Sequence, residues 1–517
     1  MKKRSSDSVP RVGSSDQKAI GDFIRSLRER RGLTQAQFAQ ALKTTQSAVA
    51  RMEAGKQNLS TAELSKVSEA LDHKVIAIAD STDFEIVGPT KLSGSIATNT
   101  SKNGALALAC ASLLNKGKTR LRGIPRIEEM NRLFEIFESI GISVRRDGEV
   151  VEIRPPKKFN MAGLDVAAAR RIRSVLMMIG PLSHMIPSFE LPHAGGCKMG
   201  NRTIAAHRFA LEDLGVSIAT GKDSYVISER RIRTTKLGEV VMYESSDTAT
   251  INAIMRAALL PRVTRLSFAT PNYQVQEVCF FLKKLGVRVE GIGSTDLLIE
   301  GVASIDMDIE YVNSEDPIES MMFIAAAVAT DSELTVRRCP IDFVKLELAK
   351  LEKMGLKYDI SDIYRAENGE TRLADVTVKP SKLTALHDKI AAQPYPGINT
   401  DNLPFFVPIV TRATGRTLVH DWMWENRAIY FTELNRLGAS VTLADPHRVF
   451  IDGPTKLKAA QIVCPPALRP AVIILIAMLA AEGTSVLRNV YSIQRGYEEI
   501  AERLNSIGAS IRVLKGV

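Results

Sequence analysis

Six times along this chain an amphipathic segment ends in an apolar residue and a glycine, and an alternating run follows. The copies read FESIGISVRR, LEDLGVSIAT, LKKLGVRVEG, LEKMGLKYDI, LNRLGASVTL and LNSIGASIRV. Their glycines are Gly141, Gly215, Gly286, Gly355, Gly438 and Gly508, separated by 74, 71, 69, 83 and 70 residues. Such a period decides the architecture before any local reading does. Each glycine fits the left-handed C-terminal cap that releases a helix into a strand. Most units also open with an alanine-rich segment, among them GALALACASLL, NAIMRAALL, MMFIAAAVA and AVIILIAMLAA. Helices apolar nearly all round belong in an interior. Each unit therefore reads as strand, buried helix, strands, amphipathic helix, strand. Six of them with central helices predict an α/β (α+β) fold in two lobes of three.

Residues 19–78 follow a different rule. Ile20, Phe23, Ile24 and Leu27 have the spacing of one helix face, and Gly32 ends the run. Thr34 is placed to cap a second helix. TQSAVARMEAGKQ gives a third helix closed by Gly55, and TAELSKVSEALD a fourth with Leu64, Val67 and Leu71 on one side. Two short helices joined by a tight turn present the second to a DNA major groove. The candidate contacts on it are Gln46, Ser47 and Arg51.

Of the 517 residues, 45% are hydrophobic and 24% charged, an ordinary globular balance. No apolar run reaches the ~18 residues a membrane helix needs. The first 18 residues read as a flexible basic tail and lack the apolar centre of a secretory signal. Five scattered cysteines without a CxxC pair argue against a disulfide framework or a zinc site and suit a cytoplasmic protein. A net charge of +10 points to an anionic partner, either nucleic acid or a phosphorylated small molecule.

Two resemblances sharpen this reading. RGLTQAQFAQALKTTQSAVARMEAGK resembles the phage-repressor-like (XRE-type) helix-turn-helix family. That implies DNA binding through Gln46, Ser47 and Arg51, and a specific site would call for a homodimer. The six units together with LPHAGGCKMGNR resemble the enolpyruvyl transferases, whose fold is an inside-out α/β barrel in two lobes. The similarity is greatest to the branch acting on UDP-N-acetylglucosamine in peptidoglycan precursor synthesis. It implies a lobe built of 84–99 and 313–517, a lobe built of 100–312, and an active site in the cleft between them. The implied reaction moves the enolpyruvyl group of phosphoenolpyruvate to a sugar 3-hydroxyl and releases phosphate, with no metal or cofactor.

By the same resemblance Cys197 in GGCKMGNR delivers a proton to the methylene carbon. Asp401 in INTDNLPF is the base at the sugar hydroxyl, a role a raised pKa would help. A helix N-cap is the alternative for that aspartate. Lys102 and Asn103 in SKNGALAL touch phosphoenolpyruvate and the sugar. Arg202, Arg469 and Arg495 clamp phosphoenolpyruvate by guanidinium forks. Arg173 lines the nucleotide side, Ser246 opens a diphosphate loop, and Arg427 lies near the cleft. Cys110, Cys279 and Cys464 read as buried apolar residues.

The acceptor half departs from the family pattern. RTIAAH stands where the family reads RPVDLH, so Thr203, Ala205 and Ala206 replace Pro, Asp and Leu. SDTAT stands for SVGAT, which puts Asp247 where a diphosphate would lie. Ala467 occupies an acidic position. Two alternatives follow: an enolpyruvyl transferase for another nucleotide or sugar acceptor, and a transcriptional regulator using the large domain as a ligand sensor.

Overall fold

The computed structural model describes residues 14–31, 33–57, 59, 63, 66–67, 70–71, 82–195, 203–230, 232 and 238–515. The chain separates after Asp80 into a small unit and a large one, Ser81–Lys515.

In the small unit, helices α1 (Ser14–Arg30), α2 (Gln35–Ala41) and α3 (Gln46–Glu53) enclose Ile24, Leu27, Phe38, Val49 and Met52, together with Val67 and Leu71. Leu64 and most of the fourth expected helix lie outside the described residues. Thr34 and Gln37 form a reciprocal capping box at the start of α2, and Thr45 Oγ1 accepts from Ala48 N at 3.2 Å to cap α3. A buried ion pair ties α1 to α3, with Arg28 Nη2 donating to Glu53 Oε2 at 3.1 Å. These contacts fix the angle between helices and leave Gln46, Ser47 and Arg51 exposed on α3.

Among the described residues the large unit contains six separate sheets of three to five strands. All six repeat glycines have positive φ, between 83° and 103°, the region a side chain with a Cβ avoids. The alanine-rich segments form helices Lys102–Ala111, Asp247–Ala258, Pro317–Ala329 and Leu468–Ala480. Every residue of Pro317–Ala329 is buried; each large aliphatic side chain so enclosed contributes about 1.5–3 kcal/mol.

Two apolar cores result. One draws on residues from Ala105 to Tyr311. The other combines Phe84, Ile86, Leu92 and Ile96 with residues from Ile318 to Ile511. The first strand of this unit, Thr82–Gly88, lies inside a sheet made by the end of the chain. It pairs antiparallel with Gly483–Arg488 on one side and Ser510–Lys515 on the other.

The chain passes between the cores twice, and the two passages hydrogen-bond. Ser101 N donates to Ser314 O at 2.7 Å and Asp316 N donates to Asn99 O at 2.8 Å. Asn313 Nδ2 braces the passage by donating to Ser101 O at 2.8 Å and Gly123 O at 2.9 Å. Beside it, Glu277 is only 4% exposed and accepts from Ser314 N and Asn368 Nδ2, both at 3.2 Å. Burial pushes its carboxyl up to about 7 from 4.5. The folded protein therefore holds a proton there that the unfolded chain releases, so this stabilisation is complete below pH 4.5 and is lost as pH rises through about 7. Glu277→Gln is expected to flatten that decline in urea titrations across this interval. An unchanged slope would assign the proton elsewhere.

Candidate active site

Of the side chains singled out in the sequence, Lys102, Asp401, Arg427, Arg469 and Arg495 converge where the chain crosses between the cores, whereas Arg173 and Ser246 are not seen in contact with that group. Ser101 Oγ accepts from Gly104 N at 3.0 Å and so caps the Lys102–Ala111 helix. That cap places Lys102 and Asn103 in the first turn. Lys102 Nζ lies 2.8 Å from Glu129 Oε2, and its backbone N–H donates to Asp316 Oδ2 at 3.3 Å. Asn103 Nδ2 donates to Tyr273 OH at 2.9 Å.

The opposing wall comes from the second core. Asp401 stands in a turn where its backbone N–H donates to Asn399 Oδ1 at 2.9 Å. The following helical turn, Leu403–Phe405, has no side-chain cap, so Asp401 does not serve as an N-cap. Its carboxylate faces two arginines. Arg469 Nη2 is 3.1 Å from Asp401 Oδ2, and Arg427 Nη1 is 4.0 Å from Oδ1. Arg469 also donates through Nη1 to Tyr497 OH at 2.6 Å. Arg427 is fully buried. It grips the equally buried Asp421, donates to Thr400 O at 2.7 Å, and lies over the Trp424 ring at 5.4 Å. Arg495 is half-buried, and Lys102, Asp316, Arg469 and Tyr497 line one small cleft.

Electrostatics follow from this crowding. Burial pushes the Asp401 carboxyl up, but Arg469, Arg427 and Lys102 outweigh it and hold the group below its ordinary value. A raised value would help a base, and here the carboxyl lies below its ordinary value. Glu129 is likewise depressed: burial is outweighed by Lys102, Arg495 and Arg469. Asp316 is raised by burial in spite of Arg469. Burial also raises the Tyr273 phenol, helped by Asp316 and Asp401.

Ser246 caps helix Asp247–Ala258, with Oγ accepting from Ala249 N at 3.5 Å. Among the described residues Asp247 is not paired with a cation. Its Oδ2 accepts from Asn272 Nδ2 and Gln274 Nε2, each at 2.9 Å. Burial raises its carboxyl, and Asp401 adds to the effect. Burial lowers the Arg173 guanidinium, which donates through Nη2 to Thr203 O at 2.9 Å.

Cys197 and Arg202 lie outside the described residues. The other four cysteines are buried, and burial pushes the thiols of Cys279, Cys339 and Cys464 up to about 12. They are poor nucleophiles by that measure. Among the described residues no cluster of three or more His, Cys, Asp or Glu could hold a metal ion, and no helix is long and apolar enough to cross a membrane.

Sequence reasoning missed Glu129, Tyr273, Asp316 and Tyr497, the partners of the predicted groups. Only Tyr497 carried a signal, two positions beyond Arg495. Asp316 caps helix Pro317–Ala329 by accepting from Ile318 N at 2.8 Å.

Comparison with known proteins bears on the family and the fold. The family model for EPSP synthase (3-phosphoshikimate 1-carboxyvinyltransferase) matches residues 86–504, and a helix-turn-helix family matches residues 24–74. A UDP-N-acetylglucosamine 1-carboxyvinyltransferase of Bradyrhizobium diazoefficiens is 32% identical over 438 residues, covering 83% of this chain and 97% of the relative. Its Campylobacter lari counterpart is 30% identical over 436 residues, covering 84% and 100%. Among solved structures, the enolpyruvyl transferase NikO from Streptomyces tendae superposes with a TM-score of 0.72 at 22% identity, covering 85% of this chain and 100% of that one. EPSP synthase from Acinetobacter baumannii gives 0.63 at 16% identity, covering 84% and 100%.

Proposed function

We propose, because the chain belongs to the enolpyruvyl transferase family and carries a helix-turn-helix domain, that it moves the enolpyruvyl group of phosphoenolpyruvate to the 3-hydroxyl of UDP-N-acetylglucosamine. The observation that supports this most is the meeting of Asp401, Arg469 and Arg427 from one core with Lys102 and Asn103 at the edge of the other.

In this reading the acceptor oxygen bonds to C2 of phosphoenolpyruvate while its proton passes to Asp401. Cys197 gives a proton to C3, which produces a tetrahedral adduct. The C2–O bond to phosphate then breaks, the Cys197 thiolate takes a proton back from C3, the double bond returns in the enol ether product, and the proton held by Asp401 leaves with the phosphate. Lys102, Arg202, Arg469 and Arg495 neutralise the phosphate and carboxylate, where charge-assisted forks are strongest. Asn103, Arg173 and Ser246 hold the acceptor. The cores formed by 84–99 with 313–517 and by 100–312 act as lobes that close over the reactants and exclude water. Gln46, Ser47 and Arg51 bind DNA, and affinity for duplexes that falls steeply with salt and depends on sequence is the expected signature.

A coupled phosphate-release assay with both substrates tests the transfer. No turnover, with Cys197→Ala matching the parent in ligand binding, would turn the large domain into a sensor for the DNA-binding module.

Asp247 favours a second reading, in which the acceptor is a different nucleotide or sugar. A carboxylate beside a diphosphate costs about 1–2 kcal/mol at the reduced dielectric of a cleft. Asp247→Asn is therefore expected to lower KM for UDP-N-acetylglucosamine by about tenfold. A KM that rises would place Asp247 in productive contact with the acceptor.

A further inference from the structure

Asp401 stands between two arginines that are held very differently. Arg427 is committed: it spends Nε and Nη2 on Asp421, and Nη2 also on Thr400. Among the described residues its Nη1 has no hydrogen-bond partner although the side chain is fully buried, and that atom lies 4.0 Å from Asp401 Oδ1. Arg469 is also buried, but Asp401 is the one carboxylate to which it hydrogen-bonds among the described residues: it donates to Asp401 at 3.1 Å and to the neutral Tyr497 hydroxyl at 2.6 Å, lies over the Tyr497 ring at 5.5 Å, and feels Asp316 electrostatically.

We infer, resting on the transfer reading above, that Arg469 is an exchangeable counter-ion: phosphoenolpyruvate draws it off the Asp401 carboxylate and so frees that carboxylate to act as the base. Arg427 is a positioning residue. It keeps the carboxylate in place through the exchange by means of its unused Nη1.

The physical argument starts from a conflict. A carboxylate clamped by a guanidinium has one oxygen occupied and is held below its ordinary value, which suits a counter-ion and not a base. Phosphoenolpyruvate brings a phosphate and a carboxylate, either of which a guanidinium can take bidentately, whereas Asp401 holds Arg469 by a single hydrogen bond. Once Arg469 turns, two changes act on Asp401 in the same direction. A cation leaves, and an anion arrives. The remaining groups that face it do not undo this. Lys102 is engaged with Glu129 at 2.8 Å. Arg427 stays at its longer distance. Asp247, Tyr273 and Tyr497 interact with Asp401 electrostatically, and none of them supplies positive charge. The base is therefore strong only when the enol ester it serves is bound.

Calorimetry of phosphoenolpyruvate alone binding to the full chain, near pH 5 in two buffers of different ionisation heat, measures proton uptake. Loss of a neighbouring cation raises a carboxyl by about 1–3 pH units, so the parent should take up about half a proton more than Asp401→Asn. The ligand's own phosphate titrates equally in both proteins and cancels. The acid limb of the kcat profile in Arg427→Gln should move up by about one pH unit. A purely structural role would scale the rate at every pH without moving the limb. Equal proton uptake in parent and Asp401→Asn, with phosphate release intact in the parent, would overturn the exchange and leave the transfer reading standing. Absence of both binding heat and phosphate release would remove the transfer reading, and the exchange with it.

Discussion

Asp401→Asn is expected to lower kcat by about 10²–10⁴-fold, the range a positioned general base contributes, while phosphoenolpyruvate binds at least as tightly as before. The asparagine keeps the shape of the side chain and loses its charge. Arg469, now relieved of its 3.1 Å ion pair, meets an incoming phosphate with no competitor. Steady-state phosphate release gives kcat, and titration with phosphoenolpyruvate gives the affinity. The combination is diagnostic, because a damaged fold would weaken both quantities. Loss of binding with kcat intact would show that Asp401 supports the clamp and does not handle the proton.

The largest expected effect on stability lies beside the same site. Arg427 and Asp421 are both fully buried and joined by two hydrogen bonds. Asp421→Ala leaves the guanidinium enclosed without its counter-ion, a change that costs about 3–5 kcal/mol. Chemical denaturation should show that loss, and kcat should fall with it because Arg427 also holds Thr400 next to Asp401. Asp421→Asn restores shape without charge and should recover only part of the stability. A loss under about 1 kcal/mol for the alanine variant would mean that water reaches Arg427, since exposed pairs contribute no more than that.

How much of this was legible in the sequence differs between scaffold and chemistry. The repeat was visible because its signals are local. A glycine at the end of a helix commonly takes the positive φ that closes it, as Gly438 does at 87° directly after Leu437. A segment such as MMFIAAAVA has no polar side to present to water, and the structure buries all of it. Lys102, Asn103, Asp401, Arg427 and Arg469 were legible through the motifs around them, and the fold brings them together. Their charge states were not legible. Arg469 meets Asp401 from 68 positions away, and no local pattern records which carboxylate a distant arginine will choose. The same is true of Asp247. Its neighbours Asn272 and Gln274 lie on another helix or at its start, and only the fold shows that two amides accommodate the carboxylate.

The strand Thr82–Gly88 carries a consequence for how this protein comes into being. Both of its partners, Gly483–Arg488 and Ser510–Lys515, come after every other described strand of the large unit. The strand emerges early and must wait, its ladder groups unmet, for almost the whole of the large unit to follow. Non-local closures of this kind are slow and expose sheet edges in the meantime. The small helical unit that precedes it in sequence has an apolar core of its own and needs no distant strand to close it.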